Sequence, residues 1–538
     1  MSLAYDIIFV LILISYLFCL VGKVFYWIYL WQLKEYRWDR MMNFLSTRSG
    51  RKAIWGFSNI LELFLIILLC ATAIFEKVPE IFWILTFYFL LLFLKDIQII
   101  RKRIFPIWTM KAIILSLLTV ILLLLTSQFL FIFAEEKILA GGIILFSFLL
   151  FLVPLEVTLI IFILQPLVIW QKNRLITQAR AKILKINPIV IGITGSYGKS
   201  STKHFLQTIL EQKFSSLCTP KNINSDIGIA QTILKSLSPA QQIFIVEMGA
   251  YRQGEIAKIC NLVSPIIGVV TGVSAQHLSL FGDLAAIQKT KAELVKALPK
   301  SGLAVLNHDD SSCVQMAQIT IAEKKFFSVA NIAHVFADQI SVAPYQLQFQ
   351  LHLREQQALV TAPLAGAQFI SAILAAVTVA DHLGLNLAEI VQGIKKLTAI
   401  KGTMFLSHTS SGATVIDDHY SANPDGFLAA LDYLHLFTDK RKIVITRGMD
   451  ELGKESVNQH RLIGTATGKI ADLVIITKKD FSKSLKDGLK QGGLSEEAIV
   501  IQENPKKIIK QFLSTLSADD VVLLENRSPQ ILIKYLLA

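Results

Sequence analysis

Cysteine is scarce in this chain. The 538 residues include only Cys19, Cys70, Cys218, Cys260 and Cys313. No two of them stand at C-x-x-C spacing, and two lie inside long apolar runs. This distribution argues against a zinc site and a disulfide framework, and it fits a reducing compartment. Internal repeats, low-complexity segments and nucleic-acid-binding patterns are also missing from the sequence.

Acidic residues are outnumbered by basic ones, 40 to 53, which gives a net charge of +13. Such a charge is typical of nucleic-acid-binding proteins, but here many of the basic residues lie in short loops beside apolar segments. Those loops contain Lys34, Arg37, Arg40, Arg48, Arg51 and Lys52, and then Arg101, Lys102, Arg103 and Lys111. Membrane topology explains this pattern without any nucleic acid. We therefore expect a lipid bilayer, and no nucleic acid, among the partners.

Long apolar runs are concentrated in the first third of the chain. The mean hydropathy of +0.54 is too high for a soluble enzyme, and residues 1–170 contain nearly all of the excess. A membrane-spanning helix needs about 20 apolar residues. Five stretches meet this length, at about 7–31, 58–75, 80–99, 112–134 and 139–164. Residues 1–170 are therefore predicted to be an α-helical membrane bundle of about five transmembrane helices.

The loop charges predict an orientation for this bundle. Basic residues dominate the loops 32–56 and 100–111 and the segment after the fifth stretch, whereas the other two loops are acidic or neutral in balance. The positive-inside rule then places the N-terminus outside and the rest of the chain in the cytoplasm. We expect a multi-pass protein of the bacterial cytoplasmic membrane, with a basic linker at residues 171–186. The remaining residues, about 350, exceed one ordinary core and predict two α/β domains, at 187–400 and 401–538.

A nucleotide-binding loop follows the first β-like run of the soluble part. Residues 188–193 (PIVIGI) predict a strand, and TGSYGKSSTKHFLQTIL predicts a glycine loop that opens a helix. Such a loop turns its N–H groups toward a phosphate, while Lys199 adds a charge and Ser200 a hydroxyl for Mg²⁺. The loop has the short form T-G-x-x-G-K-S. The residues expected to bind ATP are Thr194, Gly195, Ser196, Gly198, Lys199, Ser200 and Ser201.

The short loop and several later motifs resemble the Mur ligase family. The later motifs are TPKNINSDIG (219–228), IVEMGAYRQGEI (245–256), AQHLSLFGDLAAIQKTKAEL (275–294), LNHDD (306–310), VIDDHYSANPDGFLAAL (415–431) and RGMDELG (447–453). Within the family, the likeness is greatest to the type that joins D-alanyl-D-alanine to a muramoyl tripeptide. The resemblance runs from about residue 187 to the end. It implies a P-loop central domain followed by a Rossmann-like C-terminal domain.

The resemblance also implies a reaction and its cofactors. Ligases of this class use ATP and Mg²⁺ to convert a carboxylate into an acyl phosphate, which an amine then attacks. Glu247, at the end of the apolar run IFIVE, would be a Mg²⁺ ligand. His277 would help to hold a second Mg²⁺, and Lys291 would be carbamylated and bridge the metals, with Lys289 as its rival.

Further positions are implied to contact the substrates. Asn222 and Asn224 lie in the segment that resembles the substrate loop of the family. Asp418 and Asn423 lie in the segment that the family places near the nucleotide and the incoming amine, and Asp417 competes with Asp418 for that role. The expected substrates are a cell-wall precursor carboxylate and an amino acid or dipeptide amine. The set implied to be catalytic is therefore Lys199, His277, Lys291 and Asp418.

The sequence departs from the family pattern in two ways. Ser225 replaces an asparagine, Gln368 a histidine, Ala372 an asparagine and Thr403 an arginine. The resemblance implies that side chains at the last three positions would help to bind the nucleotide. The apolar bundle also stands where the family has a domain that binds UDP, so the carboxylate substrate is either UDP-linked or lipid-linked. The leading prediction is a membrane-anchored ligase of peptidoglycan precursor synthesis. The alternatives are a poly-γ-glutamate-type peptide ligase and a non-catalytic nucleotide-binding scaffold.

Overall fold

A computed structural model describes most of the chain, and it divides into two compact units, residues 1–171 and 172–538. The described residues are 2–46, 48–56, 59–60, 63–64, 67, 105–132, 138–274, 283–420, 423–449, 452 and 455–537.

The first unit is helical wherever it forms regular structure in the described residues. Its helices are Ser2–Leu33, Trp38–Ser46, Arg48–Trp55, Met110–Ile132 and the first part of Ile138–Ile186. In the described part of the chain one stretch, Leu150–Ile186, is long and apolar enough to cross a bilayer. Shorter apolar stretches occupy Leu17–Leu33 and Met110–Thr126. The predicted spans 58–75 and 80–99 lie outside the described residues, apart from positions 59–60, 63–64 and 67.

Several polar side chains of the first unit form hydrogen bonds with neighbouring groups of the same unit. The indole Nε1 of Trp31 donates to Oγ1 of Thr158 at 3.3 Å, and Nζ of Lys23 donates to the carbonyl of Leu150 at 3.3 Å. The hydroxyl of Thr119, which is fully buried, donates to the carbonyl of Leu115 in its own helix. Such bonding satisfies polar groups that an apolar environment would otherwise leave without partners.

The second unit begins with a nine-stranded sheet in the order β2-β3-β1-β4-β5-β6-β7-β8-β9. The strands are β1 Ile189–Thr194, β2 Ser216–Cys218, β3 Ile243–Glu247, β4 Ile267–Val270, β5 Leu303–Asn307, β6 Glu323–Ser328, β7 Val335–Ala343, β8 Gln346–Leu353 and β9 Gln356–Ala362. Strands β1 to β7 pair in parallel, whereas β8 and β9 are antiparallel. Strands β3 and β4 are buried along their whole length, as expected of parallel strands covered on both faces.

Helices connect these strands. They are Lys199–Leu210, Asp226–Ser236, Glu255–Val263, Leu284–Lys296, Ser311–Met316, Phe369–His382 and Leu387–Lys395. The chain passes from β1 outward to β2 and β3 and then crosses to β4 on the other side of β1. The direction of strand addition therefore reverses beside the carboxyl end of β1. In open α/β sheets this is the place where ligands bind.

A second, six-stranded sheet follows in the order β10-β11-β15-β12-β13-β14. Its strands are β10 Phe405–His408, β11 Thr414–Asp418, β12 Arg441–Thr446, β13 Leu473–Ile476, β14 Ile499–Ile501 and β15 Asp520–Glu525. All neighbours pair in parallel except β10 with β11. The α-helices are Pro424–His435, Ser456–Gly468, Ser482–Gln491, Pro505–Gln511 and Gln530–Leu536, and short 3-10 helices occupy Lys479–Phe481, Glu496–Ala498 and Leu513–Thr515. Alternating strands and helices of this kind give the α/β architecture expected from the sequence.

The segment 171–186, expected to be a basic linker, is instead helical and packs on the first sheet domain. Ala179 and Ile183 are buried in a cluster that also contains residues of the helix Asp226–Ser236. Nζ of Lys182 donates to the carbonyl of Leu234 at 2.8 Å. The basic residues indicated a linker, but the apolar residues recur at helical spacing and bury one face of the helix.

Candidate active site

The glycine loop leaves the carboxyl end of β1 and starts the helix Lys199–Leu210. Gly198 is the N-cap of this helix and has φ of 73°, a left-handed conformation that glycine adopts without steric cost. The Ser196 N–H donates to the carbonyl of Gly272 at 2.8 Å, which ties the loop to the end of β4. The loop and the positive end of the helix together form the kind of place where phosphate binds.

Lys199 folds back over this loop. Its Nζ donates to the carbonyl of Gly195 at 2.7 Å and to that of Ser196 at 3.3 Å. Burial lowers the pKa of Lys199, and the nearby Glu247 carboxylate partly offsets that shift. The ammonium is therefore held at the loop by carbonyl groups, where an anionic ligand would strengthen its charged form.

The predicted hydroxyl residues of the loop are mostly engaged in holding its shape. Oγ1 of Thr194 donates to the carbonyl of Met248 at 3.0 Å. Oγ of Ser196 donates to the carbonyl of Ser274 at 3.2 Å and accepts from the Ser274 N–H at 3.0 Å. Ser201 is buried in the first turn of the helix. Among these hydroxyls, Ser200 differs because its partner is a carboxylate.

Glu247 lies at the end of β3 and joins the glycine loop to the segment 219–228. Its Oε2 accepts from Oγ of Ser200 at 2.8 Å and from Nζ of Lys203 at 2.9 Å. Its Oε1 accepts from Nδ2 of Asn224 at 3.1 Å. The hydroxyl and the buried carboxylate are hard oxygen donors, and they lie side by side beneath the loop. This donor set fits Mg²⁺, which is commonly held by one or two carboxylates with phosphate and water.

Lys291 and its rival Lys289 lie on the same helix, Leu284–Lys296, but in different surroundings. Lys289 is exposed, whereas Lys291 is 5% exposed. Burial, together with the charge of Lys199, lowers the pKa of Lys291 to about 7. A lysine of this kind is partly neutral at pH 7, which is the form that reacts with carbon dioxide. The environment therefore favours Lys291 over Lys289 as a site of carbamylation.

The remaining predicted metal ligand, His277, lies outside the described residues. Within the described ranges, no group of three or more histidine, cysteine, aspartate or glutamate side chains is arranged to hold a metal ion. Glu293, two residues after Lys291, is an acidic residue near the site, but its carboxylate caps a neighbouring helix. Its carboxylate accepts from the N–H groups of Gly254 at 2.6 Å and Ala257 at 2.9 Å, at the start of the helix Glu255–Val263.

The two asparagines of segment 219–228 differ in their contacts. Asn222 is exposed. Asn224 is half-buried, and its carbonyl accepts from the Gly249 N–H at 3.0 Å while its side chain donates to Glu247. Ser225, which departs from the family pattern, is the N-cap of the helix Asp226–Ser236 and accepts from Gly228 N–H. Only Asn224 is thus brought directly to the predicted magnesium ligand.

In the second sheet, buried carboxylates meet where β11 and β15 end. Asp418 pairs in register with Glu525, and Asp417 is fully buried beside it. Burial and the charges of Asp418 and Asp417 raise the pKa of Glu525 well above its usual range, which favours its protonated form. Oδ1 of Asp418 accepts from the Met404 N–H at 3.0 Å. Asp417 instead accepts from Nδ1 of His419 at 2.5 Å.

Asn423 and three residues that differ from the family pattern have local structural contacts. Asn423 is the N-cap of the helix Pro424–His435, and its Oδ1 accepts from the Gly426 N–H at 2.8 Å. Gln368 precedes the helix Phe369–His382, and its Nε2 donates to the carbonyl of Ala365 at 3.3 Å. Ala372 is buried in the core of the domain. The Thr403 N–H donates to the carbonyl of Ile400 at 2.9 Å.

Two residues of this site are not among those predicted from the sequence. Lys203 is buried against Glu247, and Oγ1 of Thr219 accepts from the Glu247 N–H at 3.1 Å. Lys203 follows Lys199 by four residues, a spacing that puts both on one face of the helix, so the sequence contained a signal for it. Thr219 begins the motif at 219–228, but no pattern of neighbouring residues indicates its contact with Glu247, which lies 28 positions away.

Comparison with known families identifies both sheet domains. The family described as Mur ligase middle domain matches residues 193–380. The family described as Mur ligase, glutamate ligase domain matches residues 404–525. The chain belongs to the Mur ligase family. Its P-loop and its β3 carboxylate therefore lie in the Mur ligase middle domain, and the Asp417–Asp418 segment lies in the glutamate ligase domain.

Curated Mur ligases of one named type are similar over about half of this chain. The UDP-N-acetylmuramoyl-tripeptide–D-alanyl-D-alanine ligase of Mycobacterium bovis is 32% identical over 298 residues, which cover 54% of this chain and 58% of that protein. The ligase of the same name from Escherichia coli is 33% identical over 279 residues, covering 52% of this chain and 61% of that protein. The matched region thus spans less than two thirds of the length of these relatives.

Solved Mur ligase structures share the fold of the second unit. The crystal structure of MurF from Acinetobacter baumannii has a TM-score of 0.61 at 24% identity and covers 68% of this chain and 80% of that one. The MurF ligase from Thermotoga maritima, solved in complex with ADP, has a TM-score of 0.60 at 24% identity and covers 68% and 83%. At this identity the likeness establishes the α/β fold of the Mur ligase domains.

Proposed function

We propose that this chain is a membrane-anchored, ATP-dependent ligase that forms an amide bond in bacterial peptidoglycan precursor synthesis. The carboxylate substrate is a cell-wall precursor, and the amine is D-alanyl-D-alanine or a similar compound. The observation that carries the proposal is the cluster of Lys199, Ser200 and Glu247 under a glycine loop. Membership in the Mur ligase family supports it.

The proposed reaction forms an acyl phosphate in its first step and the amide bond in its second. A carboxylate oxygen of the precursor attacks the γ-phosphorus of ATP, and ADP leaves, which gives an acyl phosphate. The amine nitrogen then attacks the acyl carbon, inorganic phosphate leaves, and the nitrogen loses a proton. Lys199 and the loop N–H groups hold the transferred phosphoryl group and offset its charge. Mg²⁺, held by Ser200 and Glu247, would neutralise further phosphate charge when bound.

The identity of the substrates is proposed from the relatives. The curated relatives are named for a UDP-linked muramoyl tripeptide and D-alanyl-D-alanine. In this chain residues 1–170 are a predicted membrane bundle, with basic residues concentrated on one side. Anchoring at the bilayer would raise the effective concentration of a lipid-linked carboxylate. A lipid-linked muramoyl peptide is therefore the second carboxylate substrate to be tested.

The membrane assignment belongs to the same proposal. The apolar stretch Leu150–Ile186 is long enough to span a bilayer, and five apolar runs with alternating loop charge support several spans. We place the N-terminus outside and the ligase domains in the cytoplasm, where ATP is available. Single cysteines introduced in the predicted loops 32–56 and 135–138, labelled in intact cells with membrane-permeant and membrane-impermeant reagents, test this orientation.

A non-catalytic scaffold is the second candidate. The resemblance implies that the side chains at positions 368 and 372 help to bind the nucleotide. This chain has Gln368 and Ala372 there, and Ala372 has no polar side-chain atom. A protein that binds nucleotide without turnover would tolerate these changes. The intact Lys199, Ser200 and Glu247 cluster favours the ligase over the scaffold.

The deciding experiment measures phosphate release from ATP by the purified full chain in detergent. D-alanyl-D-alanine is supplied with either the UDP-linked or the lipid-linked muramoyl peptide. We expect turnover that needs both an amine and a carboxylate, and a decrease of roughly 100-fold or more in Lys199→Ala. Lys235→Met, which removes an exposed lysine from the helix Asp226–Ser236, is the matched control and should keep full turnover. Nucleotide binding without Lys199-dependent turnover would support the scaffold instead.

A further inference from the structure

Lys203 is a buried lysine of the site to which the proposed chemistry assigns no task. It lies on the helix Lys199–Leu210 and is 4% exposed. A lysine is almost never buried unless it is paired, because removing its charge from water is costly. Its partner is Glu247, itself 2% exposed, with 2.9 Å between Nζ and Oε2.

A second contact connects Lys203 to a different part of the chain. Its Nζ donates to the carbonyl of Lys221 at 2.5 Å. Lys221 belongs to the segment 219–228, which also contributes Asn224 to Oε1 of Glu247. At the start of that segment, Thr219 accepts from the Glu247 N–H. Segment 219–228 is thus fastened to the Glu247 residue at three points, and one of them is Lys203.

The Lys203 ammonium also occupies an oxygen that the proposed metal site needs. Oε2 of Glu247 accepts from both Ser200 and Lys203. A divalent cation on this oxygen would have an ammonium group at close range, and in a buried site such repulsion is only weakly screened. Lys203 therefore opposes metal binding to the free site while it keeps the carboxylate oriented.

We propose that Lys203 is a positioning residue that couples the Glu247 carboxylate to segment 219–228 and weakens the affinity of the free site for divalent cations. The inference rests on the proposed function where it treats Glu247 as a metal ligand. Its consequence is that an ATP-bound metal, whose charge is already partly neutralised by phosphates, is accepted more readily than a free one. Segment 219–228, with its two asparagines, is in turn held beside the metal site before substrate arrives.

The test uses Lys203→Met, which keeps most of the side-chain length and removes the charge. The full chain in detergent is titrated with Mn²⁺ alone, without nucleotide, and bound Mn²⁺ is followed by electron paramagnetic resonance. Hydrogen–deuterium exchange of segment 219–228 is measured on the same samples. We expect about 10-fold tighter Mn²⁺ binding and faster exchange in the segment, with unchanged exchange in β1 and β3. Lys235→Met should behave like the parent protein in both measurements.

Two further variants separate the two parts of the proposal. Thr219→Val removes one anchor of the segment without changing charge, so it should speed exchange in 219–228 and leave Mn²⁺ affinity unchanged. Lys203→Arg keeps the charge and should keep Mn²⁺ affinity near the parent value. Unchanged or weaker Mn²⁺ binding in Lys203→Met, or unchanged exchange in the segment, would overturn the coupling. If Lys203→Met does not fold, the Thr219→Val and Lys203→Arg outcomes decide, and a change in Mn²⁺ affinity in either overturns the proposal. Neither measurement needs turnover, so failure of the ligase assay is a separate result.

Discussion

Gly195 and Thr271 lie so close together that a Cβ atom on Gly195 would be 2.0 Å from Oγ1 of Thr271. That hydroxyl cannot move aside freely, because it donates to the carbonyl of Tyr197 at 2.5 Å within the same loop. The shape of the phosphate loop therefore depends on the absence of a side chain at position 195. Gly198, three residues later, has no neighbour closer than 3.8 Å to such an atom.

The first prediction compares alanine at these two glycines. Gly195→Ala must displace Thr271 and its bond to the loop, so nucleotide binding should be lost or weakened by at least about 100-fold. Gly198→Ala meets no clash and pays only for a φ of 73°, a cost of about 1 kcal/mol. Fluorescent ATP-analogue binding to the full chain measures both. Equal binding by the two variants would show that the close packing at Gly195 does not shape the site.

The second prediction concerns the pH dependence of Lys291. Because burial lowers its pKa to about 7, half of the amine is neutral near pH 7 in the folded protein. The neutral amine attacks CO₂ and releases a proton, so the initial rate of carbamate formation at a fixed dissolved CO₂ concentration should rise with pH, with a midpoint near 7. The folded chain binds fewer protons here than the unfolded one between about 7 and 10.5, so the contribution of Lys291 to stability also rises with pH across that window.

The growth of the carbamate signal with time, in carbon-13 NMR of the protein after labelled CO₂ is added, measures this rate. Lys291→Met should abolish the signal, while Lys289→Met, which changes an exposed lysine on the same helix, should retain it. A midpoint near the ordinary value of 10.5 for lysine, or a signal that survives in Lys291→Met, would rule out this environment for Lys291.

The third prediction concerns the helix that precedes β1. A fragment that begins at residue 172 keeps the buried Ala179 and Ile183, whereas one that begins at residue 187 uncovers the apolar face of the helix Asp226–Ser236. We expect the longer fragment to be monodisperse and the shorter one to aggregate or to lose about 3 kcal/mol or more of stability. Size-exclusion chromatography and denaturant unfolding of both fragments measure the difference.

The matched control for this comparison is Lys172→Met in the longer fragment. It breaks the ion pair with Asp226 at 2.7 Å, but both side chains are partly exposed, so the change should cost less than about 1 kcal/mol. If residues 187–538 prove as stable as residues 172–538, the helix is a dispensable linker after all.

Features that depend on neighbours in the chain could be predicted from the sequence. The run PIVIGI followed by TGSYGKS predicts a strand, a glycine loop and a helix, and the structure has β1 and the helix Lys199–Leu210 at those places. These elements are specified locally, because β-branched residues, glycines and a helical pattern each restrict the backbone within a few residues. The order of motifs likewise predicted the family that both domain matches establish.

The average composition of a segment predicts its structure poorly when the segment is a helix with one apolar face. Residues 171–186 are rich in lysine and arginine, a composition that predicts a basic linker. Their apolar positions nevertheless form a stripe that is buried, including Ala179 and Ile183. The charged side chains lie on the other faces of the helix, so an average over the segment concealed its amphipathic character.

The sequence by itself determined the apolar first third, the phosphate loop and the identity of the residues available for chemistry. Tertiary structure alone decided which of them meet. Lys289 and Lys291 are two positions apart, yet one is exposed and the other buried, because successive side chains on a helix point in different directions. Glu247 meets Lys203 across 44 positions of sequence. Such contacts depend on how strands and helices pack, and no local pattern of residues specifies that packing.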